Sequence, residues 1–169
     1  MLKINLARWK RWSRYFLPPD PLGGRQSGYA RQYMVRDVIK VSLGGHLISH
    51  LKFSVQEAVA ILRDLESWMD GSGFYDNNAI KKNSLCCGYR IYIQVSNQED
   101  FNLMFCYMIR KTLSDTLESD GKTPRRCEVY APFFINPEED QKKDFFASPF
   151  IRILNISAFY KSIIEKMGL

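Results

Sequence analysis

Along residues 2–16 apolar positions recur every third or fourth residue, the spacing of an amphipathic helix. At about 100° per residue, Leu2, Leu6, Trp9, Trp12 and Phe16 share an arc of about 120°. Lys3, Arg8, Lys10, Arg11 and Arg14 fall opposite, with Ile4 and Tyr15 among them. The rhythm breaks over residues 17–28, where Pro18-Pro19-Asp20-Pro21, Gly23-Gly24 and Gly28 predict a linker. Residues 38–43 then alternate, Gly44-Gly45 suits a two-residue turn, and residues 46–52 alternate again, which predicts a β-hairpin. Ser54 and Glu57 form a capping box behind Phe53, a staple position. They predict a helix that carries Val55, Ala58, Val59, Leu62, Leu65 and Met69 inward and stops at Asp70-Gly71.

Residues 70–84 read as a polar loop, either disordered or an exposed contact surface. Residues 89–95 alternate as a strand. Ser96 and Glu99 make a second capping box, which predicts a long helix bearing Phe101, Phe105, Met108, Ile109 and Leu113. After a basic turn at 122–126, Cys127, Val129, Ala131 and Phe133 predict a strand. Asn136-Pro137 predicts a short acidic helix, residues 150–156 a last strand, and Ser157 the cap of a closing helix to Met167. The expected fold class is α+β, a mostly antiparallel sheet of about five strands with helices packed on it. The expected organisation is a basic amphipathic arm with its Pro/Gly linker at 1–32 and a single globular domain at 33–169.

Charge changes this picture more than composition does. Residues 1–36 hold eight of the 24 cations and one of the 18 acids, Asp20; the rest holds sixteen cations against seventeen acids. The basicity therefore belongs to the arm, which predicts an anionic partner. Three readings of the arm compete. It is a helix docked on its own domain, a helix lying in an anionic membrane interface, or a nucleic-acid contact in which Trp stacks and Arg neutralises phosphate. Lys81, Lys82, Lys122, Arg125 and Arg126 are candidates for an accessory basic surface. The arm also has the Arg-rich, acid-poor character of a mitochondrial transit peptide, which makes the mitochondrion the alternative location.

No motif for catalysis stands out. There is no P-loop, dinucleotide fingerprint, paired carboxylates or Ser-His-Asp order, so the chain reads as non-enzymatic, with no cofactor and no metal implied. On the predicted strand His46 and His50 lie about 13 Å apart, too far to share one ion. The four cysteines read as thiols. Phe101, Phe105, Phe133 and Phe150 are assigned to the core.

The basic arm, the stretch Tyr15-Phe16-Leu17-Pro18-Pro19-Asp20-Pro21-Leu22 and the α+β domain after it resemble the rhabdovirus matrix proteins in organisation. The resemblance implies a virion structural protein, peripheral to membrane in the host cytoplasm, that self-associates as a homo-oligomer during assembly and budding. Lys3, Arg8, Trp9, Lys10, Arg11, Trp12 and Arg14 would then contact anionic membrane lipid and the viral nucleocapsid or its RNA. Pro18 and Pro19 would stand at the late-domain position. Pro21 occupies a place where that family's budding motif carries tyrosine. The alternative function is an RNA-associated structural protein, such as an organellar ribonucleoprotein component.

Overall fold

The computed structural model describes residues 5–20, 31–76, 88–95, 105–117, 124–135 and 145–168. The chain divides into two compact units, Met1–Ile80 with Ile163–Leu169, and Lys81–Ser162. The arm helix belongs to the first unit, and the residues after 33 are shared between the two units.

The first unit is helical: α1 (Leu6–Phe16), α2 (Val35–Ser49) and α3 (Val55–Gly71). The Asn5 side chain caps α1 by accepting from the Ala7 and Arg8 N–H groups at 3.0 and 3.3 Å. The capping box of α3 forms as the sequence predicts: Glu57 N–H donates to Ser54 Oγ at 3.2 Å, and Ser54 N–H to Glu57 Oε2 at 2.6 Å. Ala58, Leu62, Leu65 and Met69 are buried as expected, together with Ile61, while Val59 is exposed. Phe74, inside the stretch read as a polar loop, is buried against Trp68, with ring centroids 5.4 Å apart. Residues 77–84 of that loop lie outside the described residues.

The predicted hairpin at 38–52 is instead α2 and the turn after it. Val38, Ile39, Val41, Leu43 and Leu47 are buried on a helix that packs against both α1 and α3. A helix buried on most of its circumference lacks a clear polar face, and a short apolar run then satisfies strand alternation equally well. Lys40, which supplied a polar position of the supposed strand, reaches Glu66 of α3 at 2.5 Å. Arg36 meets the same Glu66 oxygen at 2.6 Å.

The second unit is built on a four-stranded antiparallel sheet, in order β3-β2-β1-β4: β1 (Gly88–Val95), β2 (Phe105–Leu117), β3 (Pro124–Ile135) and β4 (Ile151–Leu154). Strands one to three pair consecutively and the fourth returns beside the first, a Greek key. The α+β class holds, with four strands in place of about five. The long helix predicted from the Ser96 capping box to just before Ser119 is a strand over Phe105–Leu117. Phe105, Cys106, Tyr107, Met108 and Ile109 are all buried, so both faces of this central strand are covered and alternation is lost. The capping box at 96–99 and the short helix at 136–140 lie outside the described residues.

In β3, Phe133 pairs with Ile109 and Val129 with Lys111, so Tyr130–Pro132 face a single β2 residue, Arg110. This bulge on an edge strand accommodates Pro132, which has no N–H for a ladder. Helix α4 (Ile156–Met167) follows β4 directly. Its first turn is capped by Asn155, whose side chain accepts from Ala158 N–H at 3.1 Å, rather than by Ser157. Ser157 Oγ accepts instead from Tyr89 N–H of β1 at 2.9 Å.

Candidate anionic-surface site on the first helix

The inward side of α1 is set by residues one turn apart. Trp9, Ser13 and Leu17 are buried, and Trp12 and Phe16 are half-buried beside them. Ser13 satisfies its buried hydroxyl by donating to the Lys10 carbonyl at 3.0 Å. The Trp9 ring meets Tyr33 edge-on, with centroids 5.4 Å apart. Phe16 and Trp12 lie directly on the backbone of Gly44 and Gly45 in α2, so a Cβ at either glycine would overlap the ring above it. Two adjacent glycines inside a helix are costly for helix formation. Here they remove the side chains that would hold two aromatic rings away, which is why the pair belongs to a helix seam and not to the predicted turn.

This geometry separates the two sides of the arm. The aromatic side is packed on its own unit, with Trp9 against Tyr33 and Trp12 against Gly45. The opposite side is open: Arg8, Lys10, Arg11 and Arg14 are all exposed. On the helix they fall within an arc of about 160°. The helix contains no acidic residue. Arg8 also lies over the Trp12 ring, 5.7 Å from its centroid, and Arg14 stands in the last turn, where cations favour the helix dipole.

Of the other sequence candidates, Pro18 and Pro19 are exposed just past α1. Lys3, Lys81, Lys82 and Lys122 lie outside the described residues, and Arg125 and Arg126 are placed on β3 by backbone alone. Phe105 is buried as expected, whereas Phe133 and Phe150 are exposed, so neither belongs to the core; Phe101 is outside the described residues. His46 and His50, separated on the predicted strand, are stacked one helical turn apart with centroids 4.6 Å apart. Burial, and then the neighbouring His50, push the His46 pKa below its ordinary value. Among the described residues, no group of three or more His, Cys, Asp or Glu is arranged to hold a metal ion, and no helix is long and apolar enough to cross a membrane. Cys106 is buried.

Sequence reasoning missed the ring cluster of the second unit. Phe146 in the 3₁₀ turn Phe145–Ala147 stands edge-on to Tyr92, with Arg110 over both rings. Alternation alone places Tyr92 on a polar face, and nothing local links residue 146 to residue 92.

No family model, curated protein or solved structure matches this chain.

Proposed function

We propose that the protein is a non-enzymatic structural protein of the viral matrix type, held to an anionic membrane surface by the cations of α1 and assembling with further copies and with nucleocapsid. The observation that carries this reading is the anchoring of α1. Its rings are fixed on the Gly44-Gly45 seam while Arg8, Lys10, Arg11 and Arg14 stay exposed on the other side. A planar anionic surface meets all four at once. Near such a surface each cation contributes about 1 kcal/mol at low salt, and the attraction fades within a Debye length of about 10 Å at 0.1 M salt. Because the tryptophans are committed to their own unit, the helix lies on the headgroups without inserting.

Co-sedimentation with phosphatidylserine vesicles, against phosphatidylcholine vesicles, tests this. The expected result is binding to the anionic vesicles only, lost at high salt and lost when the four cations are changed together to glutamine. Tryptophan emission should stay where it is in the free protein. Equal binding to both vesicles, or quenching of tryptophan by brominated acyl chains, would overturn the reading.

A further inference from the structure

The second unit carries rings and cations in a different arrangement, and the two features occur on one sheet face. Arg90 pairs with Arg110, Tyr92 with both Met108 and Ile153, and Met108 with Phe134, so these side chains share one side of the sheet. The turn Phe145–Ala147 lies over that side. Phe145 is buried with Cys106 and Met108, 6.1 Å from Phe134 between centroids. The next ring, Phe146, remains 54% exposed although it stands 5.7 Å from Tyr92 and 5.7 Å from Phe145. The Arg110 guanidinium carbon lies 4.9 Å from the Phe146 centroid and 5.4 Å from that of Tyr92. Ile153, directly beside Tyr92, is also half exposed.

We infer that this face binds single-stranded nucleic acid, with a base stacked on Phe146 and the neighbouring phosphates drawn to the arginines of the sheet. Charge selects this occupant. By register Arg90 and Arg110 stand on this face and Lys111 and Arg152 on the other; with Arg125 and Arg126 the four strands hold six cations against Asp115 and Glu128. Residues 37–169 together hold sixteen cations against seventeen acids, which leaves ten against fifteen outside the strands, so the positive surplus is local to the sheet. A second copy of the chain would bring the same surplus to the contact and be repelled. An exposed ring flanked by guanidinium groups offers what an unpaired nucleotide needs, a π-face and a counter-charge. A duplex buries its base faces and cannot use the ring. The inference is independent of the membrane reading of α1 and stands if that reading fails.

The test is fluorescence anisotropy with a labelled twelve-nucleotide oligouridylate and a duplex of equal length, using the full chain. In the quadruple glutamine variant of α1, the single strand should still bind better than the duplex. Phe146→Ala should weaken single-strand binding about tenfold. Phe146→Leu, which keeps the apolar volume, should weaken it similarly, and Phe146→Trp should restore it. Melting temperature, read in parallel, should be unchanged in all three because the ring is exposed. Binding that is insensitive to Phe146→Leu, equal affinity for the duplex, or a Phe146-dependent change in oligomer mass without RNA would each overturn the inference.

Discussion

The two units use the same materials, aromatic rings and arginines, in opposite ways. In the helical unit the rings of α1 face inward on a glycine seam, and the cations stand alone on the outside. In the sheet unit Phe146 faces outward with a guanidinium stacked on it. Removing a ring should therefore cost the first unit its stability and the second its ligand. Composition cannot distinguish these cases; only the presence of a flat backbone surface opposite the ring does so.

Trp9→Ala is the most severe way to break this contrast. The ring is only 9% exposed, and loss of a buried tryptophan costs about 3 kcal/mol or more. Urea denaturation followed by circular dichroism should show that loss. A change below about 0.5 kcal/mol, typical of surface sites, would mean the ring is not part of the first unit's core. Gly45→Val attacks the same seam from the other side. A branched side chain there overlaps Trp12, and overpacking of this kind costs about 1–3 kcal/mol. It should also change the near-ultraviolet dichroism of the tryptophans while leaving the four cations in place.

The smallest effect belongs to the charges between α2 and α3. Hydrogen bonding from Lys40, and then from Arg36, holds the Glu66 carboxyl below its ordinary value of 4.5. A carboxyl depressed in the folded state contributes stability above that ordinary value and loses it as pH falls through the folded one. Glu66 is partly exposed, so Glu66→Gln should cost at most about 1 kcal/mol at neutral pH. His46 acts earlier on the same titration. Its lowered pKa means the unfolded chain takes up a proton first, so stability should fall as pH drops below 6.5. His46→Gln should flatten the slope of melting temperature against pH in that window, and Glu66→Gln should flatten it at lower pH.

The legible parts of the sequence were those whose signals are local. Ser54 and Glu57 specify the start of α3 within four residues, and Ile91 and Ile93 mark β1 because only one of its faces is fully buried. The two errors of element class fell on α2 and β2, each deeply packed along its described residues. Burial on all sides erases the polar face on which periodicity depends, so each was read as the other class. The charge of α1 was legible in full. The direction of its tryptophans was not, because it depends on the Gly44-Gly45 pair more than thirty residues downstream of Trp12. Phe146 was hidden for a similar reason: its importance comes from Tyr92 and Arg110, which reach it only through the return of the fourth strand.

The excursion at Tyr130–Pro132 has a consequence for how copies of this chain can join. An uninterrupted rim of unpaired amides invites a neighbour's strand to zip onto it, the route to fibrous aggregates. On β3 the displaced backbone and the missing proline donor interrupt that zipper, and on the other rim β4 offers only four residues. Sheet-to-sheet growth is thereby discouraged at both margins, so copies that gather on a shared surface must meet through side chains, in contacts that can be undone.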